Sequence, residues 1–193
     1  AVTVGVMNGC YYGFFVQAPF VFIEKHQIST TTYGKLFIIL SLASLFGSSL
    51  AKYMIKKYVP TLTIQIVGFI FFIIGCILLI MLSAFDFLMD NNLYAIIVIF
   101  GCLSMQYAGY GMVVPTILSS CLDNYRKVLG SAGSILGAAY YIITSLVTFF
   151  ISYLHSPDIT NYGYLCGGLL IFVAIPAFAQ AKIAEIKERK ALL

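Results

Sequence analysis

Seven side chains in this 193-residue chain could do chemistry, and that chemistry is binding. Asn8, Tyr12, Phe15 and Gln17 lie in one long apolar stretch, Gln106 and Tyr110 in another, and Tyr140 in a third. An amide facing hydrocarbon is costly, so such a group should meet another helix or a cavity. Asn8, Tyr12 and Phe15 fall at i, i+4 and i+7 of a helix and share a face; Gln106 and Tyr110, four apart, share another. Together these residues would offer a small organic molecule aromatic area and cation–π attraction, with amides to orient it. A plain interhelical hydrogen bond is the competing reading for the amides.

Bond-making chemistry finds no foothold. All seven acids lie in links, at the ends of apolar runs or in the C-terminal tail, so the chain offers no proton-carrying carboxylate inside a run. His26 and His155 sit in links and read as surface residues. There is no HExxH, GxSxG or phosphate loop, which leaves protease and phosphatase readings without support. A channel filter or charged ring is equally absent. Cys10, Cys76, Cys102, Cys121 and Cys166 fall within or at the ends of apolar runs, form no CxxC pair and have no neighbouring His. They read as small core residues, with no metal, disulfide or cofactor expected.

The elements that must position these residues follow from composition. The chain is 61% hydrophobic and 9% charged, against about 25% charged for soluble domains. So few charges cannot cover a water-facing surface, and the expected solvent is the lipid bilayer. Runs of roughly 20 apolar residues span its core. Six occur, at about 2–23, 34–55, 62–83, 93–121, 128–154 and 162–181. Their length and the lack of period-two alternation exclude a β-barrel. The expected fold is an all-α membrane bundle of six transmembrane helices. Ala1 already lies in an apolar run, so a preceding segment is expected.

Nine of the eleven Lys and Arg residues fall in alternate links and the tail. Lys52, Lys56 and Lys57 follow the second run, Arg126 and Lys127 the fourth, and Lys182, Lys187, Arg189 and Lys190 the sixth. The other links hold only Lys25 and, at a helix start, Lys35. This alternation puts both termini in the cytoplasm and accounts for the +4 net charge by topology, leaving nucleic acid unneeded as a partner. Small residues at steps of four let membrane helices approach closely. Gly5, Gly9 and Gly13 form one such face, and Gly130, Gly133 and Gly137 are expected to form a second helix-packing face. Runs one and four are the polar, Gly-rich, Pro-interrupted members of two triplets; runs three and six are the greasiest. Two inverted three-helix repeats with a site where the interrupted spans meet is a transporter habit.

Four stretches carry a resemblance to a known family. They are Tyr12-Gly-Phe-Phe-Val-Gln-Ala-Pro19-Phe-Val, Ile28-Ser29-Thr-Thr-Thr-Tyr33-Gly34-Lys-Leu-Phe37, Gly47-Ser-Ser-Leu-Ala-Lys52 with Lys56-Lys57, and Gly109 to Gly137. In order and topology the chain resembles the C-terminal six-helix half of a major facilitator superfamily transporter, Bcr/CflA-type drug-resistance branch. The third stretch is similar to that superfamily's G-x-x-x-D-R-x-G-R-R loop, with Ala51 in place of the acid. The resemblance implies a multi-pass protein of the inner (plasma) membrane and a preceding N-terminal six-helix half, in the same chain or a separate one. It implies proton-coupled antiport of small organic compounds by alternating access. Asn8, Tyr12, Phe15, Gln17, Gln106, Tyr110 and Tyr140 would then line the substrate cavity. Gly47, Lys52, Lys56, Lys57, Arg126 and Lys127 would hold the cytoplasmic gate. A same-fold carrier of a metabolite, siderophore or sugar, and a non-transporting six-span scaffold, are the alternatives.

Overall fold

The structure, a computed structural model, describes residues 1–25, 27–84, 93–154 and 161–172. All of its regular structure is helical. α1 (Val2–Pro19) runs on through a π-helical turn, Phe20–Lys25, beginning one residue past Pro19. α2 (Thr30–Lys56), α3 (Thr61–Ala84) and α4 (Leu93–Leu122) follow, then a 3-10 turn (Asp123–Val128) and α5 (Leu129–Tyr153). Residues 161–172 form a further helical segment, the described part of the sixth expected span. His26, His155 and the tail cations lie outside the described residues. Among the described residues, five helices are long and apolar enough to cross a membrane.

Helix ends follow local chemistry more than hydropathy. α2 starts four residues before its apolar run because the Ser29 hydroxyl accepts the Thr32 N–H at 3.2 Å and caps the polar first turn. It stops in a Schellman motif: Tyr58 N–H reaches the Ile55 carbonyl and Val59 N–H the Met54 carbonyl, at 3.0 and 3.1 Å. The left-handed residue there is Tyr58, with φ 58°, where glycine is usual. That conformation costs a non-glycine residue about 1–2 kcal/mol. Pro60 follows at once and bars any continuation.

Lipid gives helices no hydrophobic reason to associate, so close packing and interhelical hydrogen bonds must do it. α1 and α5 run parallel and meet at steps of four. A methyl on Gly5 would lie 2.6 Å from Ile143 Cβ, and one on Gly13 2.7 Å from Ile151 Cδ1; Gly9 meets Val147 between them. Bare glycine carbonyls are the acceptors along this seam. Thr144 and Thr148 donate to the carbonyls of Gly5 and Gly9, at 3.2 and 3.3 Å, each 139 positions earlier in the chain.

α4 meets α2 in the same manner. Gly47 packs on the Ala108 carbonyl and Gly111 on that of Ser44, and Ser48 donates to the Gly111 carbonyl at 2.9 Å. α3 runs antiparallel to α4, with Gly68 on Gly109 and Gly75 on Cys102 and Gln106. The segment 161–172 closes on α1, where the Tyr162 hydroxyl donates to the Cys10 carbonyl at 3.1 Å. So first span pairs with fifth and fourth with second, third with fourth and sixth with first. This exchange is the pairing that two three-helix repeats would make. The core lies between α1, α3 and α4, around Met7, Cys10, Phe14, Phe22, Phe69, Leu79, Ile99, Leu103 and Tyr107.

The glycines expected to pack α5 meet no described residue. A methyl on Gly130, Gly133 or Gly137 would touch nothing within 4 Å among the described residues. Their share of α5 extends beyond the start of α1, which is the helix that covers the rest of that face.

Gly9→Leu should therefore force the α1–α5 seam apart and cost about 1–3 kcal/mol. Gly34→Ala, in open space, should stay within about 0.5 kcal/mol. Thermal unfolding in detergent separates the two; equal losses would remove the seam as the stabilising contact.

Candidate functional site

α1 and α4 cross where their polar residues lie, and one hydrogen bond joins them. The Tyr110 hydroxyl donates to Asn8 Oδ1 at 2.5 Å. Asn8 is buried, so this bond answers the cost of its carbonyl in an apolar core. Beside it Tyr11 stacks on Tyr110 with ring centroids 4.5 Å apart and 24° between planes, and leans on Tyr107 at 4.7 Å. Tyr12 meets Tyr11 edge-on at 5.4 Å and Phe15 meets it at 5.3 Å. Phe15 stacks in turn on Phe37 of α2, centroids 5.0 Å apart, and Phe37 abuts Tyr33. The result is a continuous aromatic wall from α4 across α1 to α2. Its free edge is Tyr12 and Phe15, 44% and 38% exposed. On α5, half-buried Tyr140 lies 4.5 Å from exposed Tyr141.

Four of the seven sequence-predicted residues thus gather at one wall, Asn8, Tyr12, Phe15 and Tyr110, and Tyr140 sits on α5 with its carbonyl against Gly5 of α1. The other two lie elsewhere. Gln17 is buried against α5, where its Nε2 donates to the Ile151 carbonyl at 3.2 Å. Ile151 is in the last turn of α5, whose carbonyls have no partner within the helix, so Gln17 serves as a helix-end acceptor's donor. Gln106 is fully buried against Gly75 of α3, and neither of its amide atoms has a partner among the described residues. The four-residue step to Tyr110 is real, but it spans 40° of helix, enough to turn one side chain to α3 and the other to α1. Tyr11, the ring at the centre of the wall, was missed by helical spacing from Asn8. Tyr107 and Tyr110, three apart on α4, were the available signal that a ring on α1 should lie between them.

The residues expected at the gate lie at helix ends. Lys52, Lys56 and Lys57 are exposed on the last turns of α2, and Lys57 Nζ lies 5.7 Å from the Tyr53 ring centroid. Gly47 is buried at the α2–α4 crossing. Arg126 grips Asp123 in the 3-10 turn at 2.6 Å, both largely exposed. Such a pair is worth about 0–1 kcal/mol and fixes the turn only weakly. Lys127 is exposed beside it.

No protein-family model and no solved structure matches the chain. Curated sequences do. An "Uncharacterized transporter" of Rickettsia felis is 42% identical over 178 residues, 91% of this chain and 44% of its own length. Another, of Rickettsia bellii, is 40% identical over 168 residues, 86% of this chain and 41% of its own. An uncharacterized protein of Rickettsia conorii is 41% identical over 86 residues, 45% of this chain and 70% of its own. The chain belongs to the family of these proteins. It spans less than half the length of the two named transporters. With five described helices able to cross a membrane, it is a multi-pass membrane protein.

The Asn8–Tyr110 bond should be measurable as a coupling. Asn8→Ala and Tyr110→Phe should each cost about 1–3 kcal/mol, because one strands a half-buried hydroxyl and the other a buried amide oxygen. The double variant should cost less than their sum by about 1 kcal/mol. Strict additivity in unfolding measurements would show that the bond contributes nothing.

Proposed function

We propose that the chain is one half of a secondary transporter that exports small organic compounds against protons by alternating access. The observation that carries this reading is the aromatic wall held by the Asn8–Tyr110 bond at the crossing of α1 and α4. These are the two polar spans of the exchanged triplets, where a transporter of inverted repeats keeps its site. The transporter names of the rickettsial relatives support it, as does the resemblance to the Bcr/CflA-type branch of the major facilitator superfamily.

In this reading Tyr12, Phe15 and Tyr140 meet the substrate, by apolar contact and by cation–π attraction where it is cationic. Tyr11 and Tyr110 hold those rings in place, with Asn8 as anchor. Gln17 and Gln106 brace the wall from behind. The other wall belongs to a further six-helix half, and so does the coupling acid, since α1–α5 carry no carboxylate inside their apolar stretches. The termini face the cytoplasm of a cell whose inner membrane holds the protein. Lys52, Lys56, Lys57, Arg126 and Lys127 close the cytoplasmic end around the α2–α4 crossing at Gly47.

The test uses the full-length protein in inside-out vesicles, with a proton gradient imposed and a fluorescent organic cation offered. Tyr110→Ala removes a stacked ring worth about 0.5–1.5 kcal/mol. It should weaken apparent affinity by about two- to tenfold, with the amount of inserted protein unchanged. Unaltered transport by a well-inserted variant would remove the wall from the site. Transport competed by a sugar or an iron chelate, and not by organic cations, would replace export of organic compounds with the metabolite or siderophore reading.

A further inference from the structure

α4 contains a position that cannot close its own backbone hydrogen bond. Pro115 lies inside the helix, four residues beyond Gly111. A proline has no N–H, so the carbonyl four residues earlier loses its helical partner, and the ring crowds it as well. The orphaned carbonyl is that of Gly111. Hydrocarbon offers it no donor. Three hydroxyls of α4 lie close by. Thr116 donates to the Met112 carbonyl at 2.6 Å, and Ser119 and Ser120 donate to that of Thr116 at 3.0 and 2.9 Å. None of these bonds serves Gly111. The donor comes from α2 instead. Ser48 Oγ lies 2.9 Å from the Gly111 carbonyl, closer than the 3.1 Å to the Ser44 carbonyl of its own helix.

The turn at stake is the one that carries the wall. Tyr107 and Tyr110 meet Tyr11 from it, and its other sides are clamped. Ala108 and Gly111 meet α2 at Gly47 and Ser44, and Gly109 meets α3 at Gly68 and Phe72. Met112 is fully buried in a small core with Ala51 and Ile64. Pro115 itself is exposed, so it acts on this crossing through its missing N–H and not through a packed ring.

We propose that Ser48 is a positioning residue for the aromatic wall. Its hydroxyl replaces the N–H that Pro115 lacks, and through the Gly111 carbonyl it fixes the α4 turn bearing Tyr107 and Tyr110 against α2. The proline thereby converts a bond within one helix into a bond between two. The exchange of donors holds whatever the protein carries; the effect on substrate rests on the function proposed above.

The test is a double-mutant cycle between Ser48 and Pro115 in the full-length protein. Pro115→Ala returns an N–H to the Gly111 carbonyl. Ser48→Ala should lower the thermal unfolding midpoint when Pro115 is present, and by less than half as much in the Pro115→Ala background. Equal losses in the two backgrounds would overturn the proposal. If Pro115→Ala does not insert, Pro115→Leu restores the same N–H at an exposed position and serves in its place. In inside-out vesicles offered a fluorescent organic cation, Ser48→Ala should weaken apparent affinity by about two- to fivefold, and adding Pro115→Ala should restore it. Affinity unchanged by Ser48→Ala, in a protein whose unfolding cycle shows the coupling, would overturn the positioning role. A protein that carries no organic cation would count against the export reading alone, because the unfolding cycle still decides the exchange of donors.

Discussion

The bundle depends on backbone meeting backbone. In water, burying α1 against α5 would be favourable for any apolar surface; in lipid that surface is already content. What remains is dispersion between closely fitted atoms and hydrogen bonds that solvent cannot offer. Both need the chains within reach of each other's carbonyls, which only the loss of a side chain permits. Thr144 shows the consequence: its hydroxyl lies 2.8 Å from the Tyr140 carbonyl of its own helix and 3.2 Å from the Gly5 carbonyl of the next. Ser48 repeats this between the carbonyls of Ser44 and Gly111. A hydroxyl that would otherwise serve only its own helix becomes a tie between two.

That close fit is what frees α1 and α4 to hold polar groups. With the α1–α5 and α2–α4 seams carrying the packing, the α1–α4 crossing can hold an amide, a phenol bonded to it and a run of rings. Tyr11 is the keystone because it contacts Tyr12, Phe15, Tyr107 and Tyr110 at once. A wall of stacked rings stiffens its members without charge. Gln17 Oε1, the Gln106 amide and the Tyr107 hydroxyl stand apart from this economy, buried and without partners among the described residues.

Much of this was legible in the chain before its fold. The spans, the N-terminal signal at Ser29 and the small-residue face of α1 follow from hydropathy, capping and four-residue steps. That Asn8, Tyr12 and Phe15 share one face of α1 follows from helical spacing alone. What was not legible depended on which helix faces which. Gln17 looked like a cavity residue because its spacing carries no sign of the free carbonyl at Ile151 that it meets. Gln106 was misjudged because a four-residue step still rotates a side chain by 40°, and the glycine that admits it, Gly75, belongs to another helix. The glycines of α5 were read as packed because their spacing is right; only the geometry shows that their partner is not among the described helices.

The parallel α1–α5 seam also has a consequence in time. Thr144 and the Gly5 carbonyl it bonds are 139 positions apart, so α1 enters the bilayer long before the helix that will cover it has been made. At about 5–20 residues per second of synthesis, that interval is roughly 7–30 s. Through all of it the glycine face of α1 is without its α5 partner, and for most of it Asn8 is without the Tyr110 hydroxyl, made 102 positions later. α1 stays a guest in the membrane until α5 arrives, and anything that holds nascent helices in place during insertion has that waiting face to act on.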